Sequence, residues 1–107
     1  MDQIIKYWDV IKNELEKEAK YVYKNQPGLS NELLISENGK HLLLITSGWH
    51  NRRYNYILVY HFEMKEGRIW LLANNSDEDV IAKYSKFGIP TKIFYDPYLE
   101  EQIKAAA

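Results

Sequence analysis

The longest strand pattern in the sequence lies at its centre and predicts a β-sheet around which the rest of the chain folds. Between residues 54 and 64, apolar or aromatic residues occupy every even position: Tyr54, Tyr56, Leu58, Tyr60, Phe62 and Met64. The odd positions are apolar only in the middle of this segment. Because successive side chains of a strand point to opposite faces, we expect one face of this strand to be wholly apolar or aromatic.

Shorter strands are predicted on both sides of this central strand. Their expected ranges are 32–36, 41–47, 68–72 and 92–95. Asn38-Gly39 favours a two-residue type I′ hairpin, whereas residues 48–53 predict a longer turn. Lys65-Glu66-Gly67 predicts a tight hairpin, and a three-residue loop there would place Phe62 opposite Trp70.

Helical patterns precede and follow the strands. An apolar stripe at steps of three and four predicts a helix over residues 2–24, and its members are Ile4, Trp8, Ile11, Leu15, Ala19 and Val22. A capping box at Ser76 and Asp79 predicts a second helix that ends at Gly88. Asp96-Pro97 predicts the cap and first turn of a short C-terminal helix. The expected fold is α+β, a mostly antiparallel sheet of about five strands with the N-terminal helix and the second helix packed chiefly on one face.

Length and composition are typical of a small soluble protein. The 107 residues suit a single domain over 1–107, of which residues 105–107, all alanine, resemble a cloning scar. The chain has no cysteine, which excludes disulfides and cysteine-ligated metals. It shows neither a membrane span nor a signal peptide, so we expect a cytoplasmic protein with no membrane partner.

The histidines form the pattern closest to a catalytic or metal site. His41 and His61 fall on neighbouring strands, and the expected hairpin register places them on opposite faces of the sheet. His61 and Glu63 share one face, but a metal site needs three or four converging ligands. We therefore expect no catalytic residue, no metal and no cofactor. A small metal-binding protein or enzyme that uses His61 and Glu63 is the alternative.

The turn after Gly48 combines arginines with aromatic side chains. His50, Arg52 and Arg53 are candidates for a nucleic-acid contact, because arginine grips phosphates and aromatic rings stack on bases. A net charge of −1 and an isoelectric point of about 6.3 argue against direct DNA binding. Arginine with tryptophan or tyrosine is also typical of protein-binding hot spots. The candidate protein-binding residues are Trp49, Arg52, Arg53, Tyr54, Tyr56 and Tyr60.

The order and spacing of several motifs resemble those of the XisI-like family, known as excision controlling factors of the fdxN element. The motifs are Gly48-Trp49, Arg52-Arg53, His61, Gly67-Arg68-Ile69-Trp70, Asp77-Glu78 and Gly88-Ile89-Pro90. The chain departs from the family at Ala73-Asn74-Asn75, where an aspartate and a glycine are usual. It also has a shorter C-terminus, with Asp96-Pro97-Tyr98 in place of a His-Pro-Pro segment.

The resemblance implies a non-enzymatic bacterial accessory protein of DNA recombination. Family members are associated with XisH, which resembles a nuclease of the restriction-endonuclease fold, and together with a site-specific recombinase they control excision of a DNA element. A XisH-like partner, with DNA contacted indirectly, is thus implied, and an antitoxin-like inhibitor of that nuclease is the alternative. Because two helices leave one tyrosine-rich sheet face uncovered, we also expect a protein interface, homodimeric or with a different chain.

Overall fold

Within residues 3–99 five strands form one sheet, and their order in the sheet follows their order in the chain. The computed structural model describes residues 3–99. Its elements are α1 (Gln3–Ala19), β1 (Leu29–Ile35), β2 (His41–His50), β3 (Arg53–Lys65), β4 (Arg68–Asn74), α2 (Val80–Ser85), a 3-10 turn (Thr91–Ile93) and β5 (Phe94–Tyr95). The pairs β1–β2, β2–β3 and β3–β4 are antiparallel, and β5 pairs with β4 in parallel. The predicted α+β fold is confirmed.

Both helices pack on the same face of the sheet, as the apolar stripes predict. Helix α1 buries Trp8, Ile11 and Leu15, and α2 buries Val80 and Tyr84. These side chains meet the core residues of β2, β3 and β4, which are Leu42, Leu44, Tyr60, Phe62, Ile69 and Leu71. Within residues 3–99 neither helix lies on the opposite side of the sheet, which we call the open face.

Helix α1 is shorter than predicted and ends at Ala19. The backbone N–H of Tyr21 donates to the carbonyl of Glu18, which tightens the last turn, and the Asn31 side chain donates to the same carbonyl at 2.9 Å. Because β1 thus caps the helix from outside, the chain leaves the helical path before Val22. Val22 is consequently 72% exposed and does not extend the apolar stripe. The predicted start at residue 2 lies outside the described residues.

A bulge in β3 overturns the prediction of one continuous apolar face. Leu44 of β2 lies opposite Tyr60, but the next residue, Ile45, lies opposite Leu58, so Val59 has no residue opposite it. An extra residue in one strand shifts the alternation of its side chains by one position. From Tyr60 onward the even-numbered side chains therefore point to the helical face, whereas from Tyr54 to Leu58 the even-numbered side chains point to the open face.

The register assigns side chains from four strands to the open face. The residues of the open face are Ser30, Glu32 and Leu34 of β1; His41, Leu43, Ile45, Ser47 and Trp49 of β2; Tyr54, Tyr56, Leu58, His61, Glu63 and Lys65 of β3; and Arg68, Trp70 and Ala73 of β4. The even positions of the central strand thus divide between the two faces: Tyr60 and Phe62 lie in the core, whereas Tyr54 and Tyr56 are exposed.

Two hairpin turns differ from the prediction. The β2–β3 turn is the short one, with Asn51 and Arg52 at φ 53° and 63°, as a type I′ turn requires. At Asn38-Gly39 the backbone φ is positive at Gly39 alone, and the Gly39 N–H donates to the Ser36 carbonyl at 2.9 Å. This is a longer connection between β1 and β2 than the predicted two-residue turn.

The β3–β4 hairpin also has a two-residue loop instead of three. Glu66 and Gly67 both have positive φ, and Lys65 lies opposite Arg68. Phe62 therefore lies opposite Leu71, and Trp70 lies opposite Glu63 on the open face. The expected pairing of Phe62 with Trp70 is wrong because the loop is one residue shorter.

Helix α2 begins later than the predicted capping box and ends at Ser85, earlier than predicted, with a turn that continues to Gly88. Its N-cap is Asp79, whose carboxylate accepts a hydrogen bond from the backbone N–H of Ala82 at 3.1 Å. Ser76 instead donates to the Asn74 side chain at 2.6 Å. At the other end, Gly88 has φ 92°, as the predicted C-terminal glycine requires.

The segment after α2 follows its predicted signals only in part. The strand predicted over 92–95 is reduced to Phe94–Tyr95, because a 3-10 turn follows Pro90. The Asp96 carboxylate accepts hydrogen bonds from the backbone N–H groups of Tyr98 and Leu99, at 3.0 and 3.2 Å, as a helix cap does. The continuation of this helix and residues 105–107 lie outside the described residues.

Gly48 is a position where the fold requires glycine. It has φ 134°, and a Cβ there would overlap the carbonyl oxygen of Gly28 in the adjoining segment. We expect Gly48→Ala to lower the free energy of unfolding by about 3 kcal/mol or more. The urea midpoint measures this loss.

Gly39→Ala is the matched control, since Gly39 has φ 73° and nothing within 4 Å of the added methyl group. Its expected cost is about 1–2 kcal/mol, from the left-handed backbone conformation alone. Equal losses in the two variants would contradict the close approach of Gly48 to Gly28.

Candidate functional site

Three exposed aromatic rings lie together at one end of the open face. Trp49 at the end of β2 is 63% exposed, and Tyr54 and Tyr56 at the start of β3 are 54% and 67% exposed. Trp49 lies directly opposite Tyr54, and their ring centroids are 5.5 Å apart in an edge-to-face arrangement. We call Trp49, Tyr54 and Tyr56 the aromatic patch. A hairpin with a two-residue turn holds it, so the rings are positioned by paired backbone.

The arginines of the turn border the aromatic patch. Arg52 and Arg53 are exposed, and among residues 3–99 neither is within ion-pair distance of a carboxylate. The sequence has no aspartate or glutamate from Asn38 to Phe62, although the whole chain has 15 acidic residues. The turn is therefore locally basic on a protein of net charge −1.

Two of the predicted contact residues are less available than the sequence suggested. Tyr60 is 5% exposed and packs in the core, and burial raises the pKa of its hydroxyl. The bulge at Val59 turns it away from the open face, so it is not part of an exposed surface. The His50 ring nitrogen Nε2 lies 3.3 Å from the Gln26 amide and 3.1 Å from that of Asn51, so the ring is held by its own chain.

His41 and His61 lie on the same face, and the prediction of opposite faces is wrong. His41 lies opposite Glu63, and His61 lies opposite Leu43. The two rings are in direct contact: His41 Nδ1 is 2.9 Å from His61 Nε2. On its other side, His41 Nε2 is 3.4 Å from the Glu63 carboxylate. The sequence-predicted candidates His61 and Glu63 are thus bridged by a third residue, His41.

This cluster has the residue types of a metal site without its geometry. Three ligands of one ion must converge on a common point. Here His41 lies between the other two side chains and directs one ring nitrogen to each of them. Within the described part of the chain, no group of three or more His, Cys, Asp or Glu residues is arranged to hold a metal ion.

A second aromatic cluster at the far end of the open face is a feature that sequence reasoning missed. The Trp70 and Tyr95 ring centroids are 4.3 Å apart, Lys65 Nζ lies 4.7 Å from the Trp70 ring, and the Arg68 guanidinium lies 5.1 Å from the Tyr95 ring. Arg68 also donates to the backbone carbonyl of Phe94 at 2.7 Å. This cluster attaches β5 to the sheet, and its side chains are engaged with one another.

An open cleft of about 390 Å³ lies on the helical side, beyond the end of α1. Its lining consists of Lys17, Glu18, Tyr21, Tyr23, Asn31, Leu44, Thr46, Val59 and Tyr60. At its base, the side-chain oxygen Oδ1 of Asn31 accepts hydrogen bonds from the Tyr23 hydroxyl at 2.9 Å and from the Thr46 hydroxyl at 2.6 Å. These polar groups form hydrogen bonds with one another. We therefore interpret the cleft as the place where the end of α1 packs against the sheet.

Comparison with known proteins assigns the chain to a family. The family model described as XisI protein matches residues 1–102. The chain belongs to the XisI family. A crystal structure of a XisI-like protein from Anabaena variabilis ATCC 29413 superposes with a TM-score of 0.72 at 25% identity, covering 86% of this chain and 84% of that one. The resemblance found in the sequence is thereby confirmed.

A second structural neighbour of this XisI-family protein is the fdxN element excision controlling factor XisI from the same organism. The TM-score is 0.62 at 16% identity, with 87% of this chain and 89% of that chain covered. At this identity the likeness shows the fold. None of the curated proteins compared with the sequence matches it. Among residues 3–99, no helix is long and apolar enough to cross a membrane.

The histidine pair of this XisI-family protein gives its stability a defined pH dependence. Burial, followed by the neighbouring His41, lowers the pKa of His61 from its ordinary value of 6.5. The unfolded chain then binds a proton more readily than the folded one. The contribution of neutral His61 to stability is therefore complete above pH 6.5 and declines as the pH falls below that value.

NMR titration of the His61 ring is expected to give a midpoint below that of a histidine in an unfolded peptide. Urea unfolding between about pH 7.5 and about pH 5.5 is expected to show a smaller loss of stability in His61→Gln than in the native protein. A midpoint at or above the peptide value would contradict the burial and contact described for His61.

Proposed function

We propose that this protein is a non-enzymatic accessory factor that binds a XisH-like protein of nuclease fold and thereby controls site-specific excision of a DNA element. Membership of the XisI family supports the regulatory role. The observation that carries the proposal of a protein partner is the aromatic patch, three exposed rings on one rigid hairpin. Large exposed aromatic surfaces on small proteins usually mark interaction sites.

The composition of the site suits a protein partner better than a substrate. Tryptophan, tyrosine and arginine are the residues enriched at binding hot spots, and here they occupy adjacent positions on two paired strands. The surface consists of a sheet face and the turn beside it. The histidine cluster supports the non-enzymatic role as well, since His41 is already engaged at both ring nitrogens.

The partner surface that complements this site is apolar at its centre and acidic at its rim. Trp49 and Tyr56 would fill the centre, where water is excluded and contacts are strongest. Arg52 and Arg53 would lie at the edge, where charges steer association and fix orientation. DNA in such a complex is contacted chiefly by the partner, in keeping with the net charge of −1 on this chain.

Mixing this protein with a purified XisH-like protein tests the proposal. We expect a stable complex, whose mass is measured by light scattering after gel filtration. Trp49→Ser and Tyr56→Ser are each expected to weaken the affinity by about 10-fold to 100-fold, because each removes a central aromatic contact. Isothermal titration measures the change.

Tyr21→Ser is the matched control for Tyr56→Ser. Tyr21 is 61% exposed, close to the 67% of Tyr56, but it lines the cleft on the helical side. This variant is expected to bind like the native protein. Failure of the native pair to associate would contradict the proposed partner, and an equal loss in Tyr21→Ser would contradict the proposed surface.

The arginines are expected to act on the rate of association. The double variant Arg52→Ala/Arg53→Ala should slow binding of the XisH-like protein and flatten the salt dependence of the association rate, since it removes charges that steer the encounter. The control Lys20→Ala/Lys24→Ala removes the same charge from exposed positions beyond α1.

Stopped-flow measurements at low and high salt distinguish the two pairs. Equal slowing in both double variants would mean that overall charge, and not the turn, governs the encounter. Saturable binding of the isolated protein to duplex DNA, lost in the arginine variant, would contradict the proposed indirect contact. It would show that the turn binds DNA directly.

A further inference from the structure

One edge of the sheet is long and open, whereas the other is short. At the β5 edge only two residues pair with β4. At the other edge lies β1, whose seven residues pair with β2 on the inner side. On its outer side the described chain makes one bridge, between Val22 and Ser30 near the start of the strand. The second half of β1 has no further strand beside it within residues 3–99.

The hydrogen-bonding pattern shows which backbone groups point outward. The Ser36 N–H donates to the His41 carbonyl across the β1–β2 pair, so Ser36 faces β2. Because the direction alternates along an antiparallel strand, Leu34 and Glu32 also face β2. Leu33 and Ile35 then direct their N–H and carbonyl groups away from the sheet. The Leu29 N–H, which donates to Gln26 outside the sheet, follows the same alternation.

The side chains along this edge are apolar and lack the usual protection against pairing. Leu34 is 40% exposed on the open face, and Ile35 is 45% exposed on the helical face. The strand contains no lysine, proline or bulge, which are the features that commonly prevent a strand edge from pairing. Its one charge is Glu32.

We propose that a second copy of this chain pairs with the outer edge of β1, antiparallel and about a two-fold axis at Leu34, so that two sheets join into one. In this register Leu34 lies opposite its own copy, and Leu33 lies opposite Ile35 of the partner subunit. The outward groups of Leu33 and Ile35 then form hydrogen bonds with the same groups of the second copy.

The charge and side-chain pattern favours this register and this occupant. With the axis at Leu34, apolar residues meet apolar residues, and Glu32 meets Ser36, a hydroxyl instead of a second carboxylate. With the axis at Leu33, Leu34 would meet Glu32, and Ile35 would meet Asn31, beside the bridge that Ser30 already makes with Val22. The side chains of this edge are thus complementary to those of a second copy of the same edge, as a two-fold symmetric contact requires.

This interface is separate from the proposed nuclease-binding surface. The aromatic patch lies at the end of β2 and β3 next to their shared turn. The β1 edge is the outer edge of the sheet, separated from β3 by β2. Variants in the aromatic patch are therefore expected to leave dimerisation intact, and the two proposals can fail independently.

Single cysteines test the register, because the native chain has none. In Leu34→Cys the two sulfurs face each other across the axis, in a pair whose Cα atoms are about 4.5 Å apart and within disulfide range. Mild oxidation of the full chain is expected to convert most of this variant to a covalent dimer on a non-reducing gel. Glu32→Cys is the control on the same strand. In the proposed register the two cysteines of this variant do not lie opposite each other, so their sulfurs are too far apart to form a disulfide.

Sedimentation equilibrium of the native protein is expected to show a reversible dimer. Ile35→Pro removes an outward N–H without touching the β1–β2 pairs, and should weaken dimerisation about tenfold or more with the circular dichroism spectrum unchanged. Ile5→Ser, which removes an equally exposed apolar residue from α1, should leave it unchanged.

A native protein that stays monomeric, together with no covalent dimer of Leu34→Cys, would overturn the proposal. Equal crosslinking of Glu32→Cys and Leu34→Cys would overturn the register. If the β1 edge pairs only with a strand of another protein, the isolated chain would stay monomeric and Leu34→Cys would give no covalent dimer.

Discussion

The bulge at Val59 is the constraint on which the rest of the structure depends. Before it, β3 presents Tyr54 and Tyr56 to the open face; after it, the same strand presents Tyr60 and Phe62 to the helices. A straight strand with this sequence would have all four rings on one side. The extra residue divides them into a buried half that packs under α1 and α2 and an exposed half that remains at the surface.

The same bulge creates the histidine cluster. Without it, the two-residue turn at Asn51 and Arg52 would place His41 opposite Phe62, and His61 would lie on the other face. The shift by one residue places His41 opposite Glu63 and brings its ring to 2.9 Å from His61. A cluster with the residue types of a metal or catalytic site is thus a consequence of strand register. Its side chains contact one another.

Helices on a single face leave this small fold with two surfaces that the described chain does not cover. The open face carries an aromatic patch bordered by a basic turn, which suits a partner with a shape and charge of its own. The outer edge of β1 offers backbone hydrogen bonds and a self-complementary apolar strand, which suits a second copy. The accessory role proposed for this protein requires surfaces of this kind more than it requires a pocket.

Local signals in the sequence determined the elements, and long-range pairing decided how they meet. The stripe of Trp8, Ile11 and Leu15 fixed which side of α1 is buried, and Gly88 fixed where the turn after α2 leaves the helical path, since each depends on neighbours within a few residues. The exposed position of Trp49 and Tyr56 could be predicted, but the burial of Tyr60 could not. A bulge adds one residue at little local cost, so its place is set by how β2 and β4 pack against β3, which only the tertiary structure shows.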